Sequence, residues 1–311
     1  MKSNVISFKV SEKTQEMMSD ELAWCMRDKT PQYAKWQAKD GDTVITLYES
    51  GKVVFQGKDA DLSSDFWITT EKINSGNVEV KETDTSKKKS DEYIDPRIYN
   101  SSSIGSDEVG TGDYFGPIVV CSAFVSKENI NYLEELGVRD SKKLTDLKIL
   151  EIVPQLLDKI PHEVYILSNK EYNEKIKKFN LNKIKALLHN HVLFNLKNRI
   201  KNYDYIIVDE FAKEYVYYNY LKEKNNVVRG IKFFTKGESK HLSVAVASLI
   251  ARYYFLLEYQ KLEKIYNMII PKGASTKVDE IGKILIDKYG NNILDEIAKI
   301  NFKNTDKIKG A

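Results

Sequence analysis

Three places in the chain put carboxylates where a folded core would not want them. Asp107 and Glu108 sit near the end of the run Ile104–Val109 and meet the turn Gly110-Thr111-Gly112. Asp209 and Glu210 end the apolar run Tyr205–Val208. Glu238 stands in Thr235-Lys236-Gly237-Glu238-Ser239, after Ile231–Phe234 and at the start of a helical stretch. Carboxylates gathered without cations repel one another and resist ionisation. A divalent cation removes that cost, and hard oxygen ligands with few histidines suit magnesium or manganese. Two such ions about 4 Å apart stabilise both the attacking and the leaving oxygen in phosphodiester hydrolysis. The residue types therefore point to metal-dependent phosphoryl transfer.

Each element also has a plain structural reading. A strand-end Asp caps a helix or closes a turn. A Glu in a first helical turn offsets the helix dipole. Strand alternation sends Asp107 and Glu108 to opposite faces. Both enter one site only if the backbone leaves the strand at Glu108, which the following glycines allow. Spacing alone leaves the convergence of these acids open.

The elements that must position them follow from pattern. Ser101–Val109 and Pro117–Val125 read as two strands joined by the glycine-rich turn. Tyr165–Leu167, Tyr205–Asp209 and Ile231–Thr235 read as further strands, and Leu181–Ile200 and Leu242–Lys264 as long helices. Strands interleaved with helices indicate an α/β domain, and the opening hairpin makes its sheet mixed. Ser243, Ala245, Ala247, Ser248 and Ala251 give the last helix a small-residue side for tight packing on that sheet. Ahead of this, Lys81–Asp95 is polar and reads as a linker, with the boundary drawn at residues 85–96. Residues 1–84 read as a small α+β domain. It has a strand over Val5–Val10, a helix over Glu12–Asp28 capped by Ser11, and strands over Tyr33–Lys39, Thr43–Tyr48 and Lys52–Gln56. A shorter helical piece holding Phe66, Trp67 and Ile68 follows. Asp40-Gly41 and Ser50-Gly51 are hairpin turns.

The four blocks resemble those of a known family, the bacterial ribonucleases HIII, which are type 2 ribonucleases H. The resemblance is carried by Ser106-Asp-Glu-Val-Gly-Thr-Gly-Asp-Tyr-Phe-Gly-Pro-Ile-Val-Val120 and Arg139-Asp-Ser-Lys-Lys-Leu144. It continues in Ile207-Val-Asp209 and in Thr235–Tyr253, all in the family's order. It implies a ribonuclease H-like α/β domain preceded by a TATA-binding-protein-like domain that grips substrate. The implied activity is endonucleolytic cleavage of RNA in RNA–DNA hybrids, leaving 5′-phosphate and 3′-hydroxyl ends. Asp107, Glu108, Asp209 and Glu238 are the implied catalytic residues and the ligands of two Mg²⁺ or Mn²⁺ ions. Gly110, Thr111 and Gly112 are the implied readers of ribose hydroxyls, and Ser141, Lys142 and Lys143 the implied phosphate contacts. Gly237 stands where many relatives have Ala. The alternatives are a ribonuclease HII-like enzyme acting at single embedded ribonucleotides, and a non-catalytic hybrid-binding protein.

Composition adds bounds. The chain has 311 residues and a net charge of +3, which permits a nucleic-acid partner without demanding one. Two cysteines, Cys25 and Cys121, supply neither a disulfide framework nor a four-ligand zinc site. No apolar run approaches a membrane span of about 18 residues. The expectation is a cytoplasmic, monomeric protein without a membrane partner. His189 and His191 lie two apart on one helix, face different ways, and are read as unrelated to catalysis.

Overall fold

The computed structural model describes residues 4–83, 95–138 and 144–310. They form two compact units. Residues up to 83 together with 301–310 make one, and residues 95–300 make the other. The sequence reading had placed the last stretch with the second domain. Within the first unit the Lys303 N–H donates to the Ile73 carbonyl at 2.7 Å. Most of the expected linker lies outside the described residues.

The first unit runs β1 (Asn4–Lys9), α1 (Glu12–Leu22), β2 (Ala34–Asp40), β3 (Thr43–Tyr48), β4 (Lys52–Gly57), α2 (Ala60–Ser75) and β5 (Lys81–Thr83). The strands form an antiparallel sheet in the order β2-β3-β4-β1-β5. Alternation selects the core face: Val53 and Phe55 are buried while Lys52 and Gln56 are exposed. Phe8 stacks on Phe55 with ring centroids 5.7 Å apart. Each such buried side chain contributes about 1.5–3 kcal/mol. Trp36 and Phe55 belong to this core, and the Trp36 indole donates to Ser19 Oγ at 2.9 Å.

Two helix boundaries differ from expectation. α1 stops at Leu22, not Asp28. Beyond it the backbone turns to β2, where the Arg27 N–H donates to the Gln37 carbonyl at 2.8 Å. Ser11 does not cap α1 through its side chain; its N–H and hydroxyl donate to the buried Glu71 carboxylate. The piece holding Phe66, Trp67 and Ile68 is a full helix that buries Trp67 and Ile73 and ends on Gly76.

The second unit begins with a helical turn, α3 (Pro96–Tyr99), then β6 (Ser103–Val109), β7 (Ile118–Val125), α4 (Ile130–Glu135), α5 (Asp146–Leu157) and β8 (His162–Leu167). It continues with α6 (Asn169–Ile176), α7 (Leu181–Arg199), β9 (Tyr205–Asp209), α8 (Glu214–Tyr220), β10 (Ile231–Phe234), α9 (Leu242–Tyr266), α10 (Thr276–Tyr289) and α11 (Ile293–Ile297). The sheet order is β10-β9-β6-β7-β8. β6 pairs antiparallel with β7 and parallel with β9, so the sheet is mixed as expected. This is the α/β ribonuclease H-like arrangement that the resemblance implied.

α7 and α9 cover opposite faces of the central strand. Ile104 packs with Leu193 and Leu196 of α7. On the other face Ser103 Oγ donates to Ser243 Oγ of α9 at 2.9 Å. A Cβ on Gly105 would stand 2.3 Å from the α9 backbone at Ser243 and Val244, so only glycine allows this approach. The small-residue side of α9 is thus the contact with β6. α9 also corrects the reading of apolar runs. By length and composition it passes as a membrane span, but most of its apolar stretch is buried within the protein. It is the core helix of this unit.

Candidate active site

The parallel pair β6 and β9 fixes where the acids meet. Ser106 is in register with Val208, so Asp107 and Asp209 follow at the same end of adjacent strands. Phe234 is in register with Asp209 on β10, and the chain turns there into a short helical turn over Gly237–Ser239 that carries Glu238. The Gly237 N–H donates to Asp209 Oδ1 at 2.7 Å and ties that turn to the strand end. Glu238 lies close enough to Asp209 for its carboxylate to raise the Asp209 pKa.

The backbone does not leave the strand at Glu108. Pairing with β7 continues to Val109, opposite Val119. Asp107 and Glu108 therefore do face opposite sides of the sheet, contrary to the condition set by the sequence reading. Asp107 Oδ1 accepts the Glu108 N–H at 2.8 Å, and Ser248 of α9 favours the Asp107 carboxylate from the other side. Glu108 points to α7. Its Oε1 is 2.5 Å from Lys185 Nζ and its Oε2 is 2.8 Å from His189 Nε2.

His189, which the sequence reading set apart from catalysis, is brought against Glu108. It is fully buried, and its Nδ1 lies 2.6 Å from Ser106 Oγ. Burial, opposed by Glu108, lowers its pKa. A neutral ring that donates from Nε2 to Glu108 accepts the Ser106 hydroxyl at Nδ1, which satisfies both nitrogens. Phe211, two residues past Asp209, forms the floor of this cradle. Its ring stacks on His189 at 5.0 Å and lies under Lys185 Nζ at 4.2 Å. The signal available in sequence was the spacing of Lys185 and His189, four apart on one helical face.

The electrostatics divide the acids. Burial and the neighbouring Asp209 and Glu108 carboxylates push Asp107 well above the usual carboxylate range. Burial and Glu238 push Asp209 up to about 7. Burial would raise Glu108 too, but Lys185 and His189 override it and hold that carboxyl at about 2. Asp107 and Asp209 are thus raised by burial and like charge, while Glu108 has a cation of its own. Among the described residues no three His, Cys, Asp or Glu side chains are drawn together closely enough to hold a metal ion as they stand. Glu108, engaged by α7, faces away from Asp107. Even so, the donor set fits a divalent cation: it is all oxygen and anionic, and its raised pKa values reflect repulsion that a cation would remove.

The remaining predicted residues are placed as follows. Gly110 takes φ +94°, and a Cβ there would stand 2.3 Å from the Pro117 carbonyl. Thr111 is half-buried and Gly112 exposed, with open space where a Cβ would be. Ser141, Lys142 and Lys143 lie outside the described residues. Arg252 pairs with the Asp146 carboxylate at 2.5 Å and also donates to the Leu144 carbonyl. The buried His241 packs its ring on Phe234 at 4.5 Å.

Comparison with known proteins supplies the family. The family model "Ribonuclease HII" matches residues 104–305, and the model "Domain of unknown function (DUF3378)" matches residues 5–79. The ribonuclease HIII of Staphylococcus aureus (strain JH9) is 42% identical over 306 residues, covering 97% of this chain and 96% of that protein. The structure of Bst-RNase HIII in complex with Mn²⁺ superposes with a TM-score of 0.67 at 36% identity, covering 98% of each chain. The ribonuclease H2 of Pyrococcus horikoshii OT3 superposes with a TM-score of 0.59 at 25% identity, over 67% of this chain and 97% of that one. The match to ribonuclease HIII runs through both units, including the N-terminal one with its TATA-binding-protein-like order of elements. On that evidence the chain belongs to the ribonuclease HIII family.

Proposed function

We propose that this protein hydrolyses the RNA strand of RNA–DNA hybrids endonucleolytically, leaving 5′-phosphate and 3′-hydroxyl ends. The observation that carries the reading is the cluster of Asp107, Asp209 and Glu238 at one end of β6, β9 and β10, with Glu108 held anionic beside it. These four carboxylates would hold two Mg²⁺ or Mn²⁺ ions. When bound, the ions lower the pKa of the attacking water and neutralise charge on the leaving 3′-oxygen.

The chain's own residues set the stage. Lys185 and His189 keep Glu108 ionised. The Ser248 hydroxyl orients Asp107, and the Gly237 N–H orients Asp209. The backbone of the half-buried Thr111 and the exposed Gly112 offers polar groups to the 2′-hydroxyl that distinguishes RNA from DNA. Ser141, Lys142 and Lys143 meet backbone phosphates. The N-terminal unit grips the hybrid, and the protein acts as a cytoplasmic monomer.

The decisive experiment is hydrolysis of an end-labelled RNA–DNA duplex with and without Mg²⁺ or Mn²⁺. Metal-dependent cleavage of the RNA strand is expected. Binding without cleavage at any metal concentration refutes the enzymatic reading. Efficient cutting of a DNA duplex at a single embedded ribonucleotide would instead favour ribonuclease HII-like specificity. A chain lacking residues 1–84 is expected to bind hybrid more weakly and to cleave normally at saturating substrate. Unchanged apparent affinity would refute the gripping role.

A further inference from the structure

Lys299 follows α11 and is the bulkiest charged side chain that the fold buries completely. A lysine is almost never fully buried unless it is paired. Its Nζ donates to the Asp113 carbonyl at 2.7 Å and the Gly116 carbonyl at 2.6 Å. Its own backbone N–H donates to the Tyr114 carbonyl at 2.8 Å. One residue, far away in sequence, thus engages three carbonyls of the segment that joins β6 to β7. That segment begins with Gly110-Thr111-Gly112.

The rest of the segment is fixed from the same side. The Tyr114 N–H donates to the Gly273 carbonyl at 2.9 Å and the Gly116 N–H to the Ile297 carbonyl at 3.0 Å. Asp113 Oδ1 accepts the Gly273 N–H at 2.6 Å. Asn169 Nδ2 donates to the Gly116 carbonyl at 2.9 Å, and the Tyr259 hydroxyl to the Phe115 carbonyl at 2.8 Å. Among the described residues, none accepts from the N–H groups of Thr111 or Gly112. The segment is therefore anchored at Asp113–Gly116 and presents Thr111–Gly112 outward.

We propose that Lys299 is a positioning residue for ribose recognition: it cinches Asp113–Gly116 so that Thr111 and Gly112 hold a preset conformation toward the RNA strand. This rests on the ribonuclease reading above. Burying an ammonium is costly, and removing a donor from buried carbonyls leaves them unsatisfied. Burial lowers the Lys299 pKa to about 7, with Asp113 opposing. A packing role alone would be met by Met or Leu of similar volume. What they cannot supply is the pair of donors across Asp113 and Gly116.

The test compares wild-type protein with Lys299→Met. Binding to an RNA–DNA hybrid and to a DNA duplex of the same sequence is measured in EDTA, together with hydrogen exchange of a peptide spanning Thr111–Gly116. The expected result is a loss of about tenfold in the preference for hybrid, with faster exchange confined to that peptide. KM should rise and kcat at saturation should change less. Unchanged preference and exchange in a folded Lys299→Met would overturn the proposal. Should that variant not fold, Asn169→Ala, which removes the other side-chain donor to Gly116, must show a smaller loss in the same direction. Its failure to do so overturns the proposal equally. If the wild-type protein shows no preference for hybrid at all, the ribonuclease reading itself fails, and the two failures are thereby separated.

Discussion

Asp107 and Glu108 are neighbours in the chain and belong to opposite faces of one strand: Asp107 faces α9, where Ser248 favours its carboxylate, and Glu108 is paired with Lys185 of α7. One helix therefore orients each acid. Asp107 is buried among like charges, whereas Glu108 carries its own counter-ion. The two residues should respond differently to mutation, to pH and to added metal.

Replacing Asp107 or Asp209 by Asn should lower cleavage by about three orders of magnitude or more, as loss of a group that acts only as part of a unit does. Hybrid binding should be retained. Removing either repelling carboxylate should also raise the melting temperature of the metal-free protein. A scanning calorimetry run in EDTA checks the second effect independently of activity. A lower melting temperature would mean that the acids are not in conflict.

Lys185→Met should be destabilising by about 3 kcal/mol, because it strands a buried charge without its partner. The Glu108 pKa should rise from about 2, since the burial that opposes Lys185 remains. Its folded value is depressed, so its contribution is fully present above the unfolded pKa and is lost as pH falls towards about 2. Urea unfolding of wild type and variant at pH 3 and pH 6 checks this: the difference between them should be larger at pH 6.

Asp209 has the opposite sign. Its folded pKa, about 7, lies above the ordinary 3.8. Between these values the folded chain keeps a proton that the unfolded chain has lost, so this group's contribution falls as pH rises across the window. A divalent cation that neutralises the site should cancel the loss. The rise in melting temperature on adding Mg²⁺ or Mn²⁺ should be larger at pH 8 than at pH 5. An equal rise at both would place the cation away from Asp209.

Gly237→Ala should be tolerated. A Cβ there would stand 3.4 Å from Asp209 Cα and 3.5 Å from Val244 Cγ1, which is ordinary contact. Restricting the unfolded chain should add about 0.5 kcal/mol of stability with cleavage preserved. Gly110→Ala should do the reverse, because its φ of +94° and the Pro117 carbonyl leave no room for a side chain. Chemical denaturation of the two variants side by side is the measurement.

Much of the fold was legible because hydrophobic periodicity and turn chemistry are local. β6, β7, β9, β10, α7 and α9 fall within a few residues of their expected spans. The hairpin glycines Gly41 and Gly51 do take positive φ. The end of α1 was not legible, because the competing bonds of Arg27 come from β2, ten residues on in the chain. The contacts of His189 were hidden for a similar reason. Its partners Ser106 and Glu108 are about eighty residues away, and nothing in its neighbours announces them.

By itself the sequence determined which groups could do chemistry here: four carboxylates at strand ends and a helix start, and a glycine turn beside two of them. Residue type fixes charge, donor set and backbone freedom, and these are local properties. Only the tertiary structure decided which acids repel and which is paired. It sent Asp107 to α9 and Glu108 to α7, and placed Lys299 beneath the turn. Those outcomes depend on distance and burial, and both arise only when strands remote in the chain lie side by side.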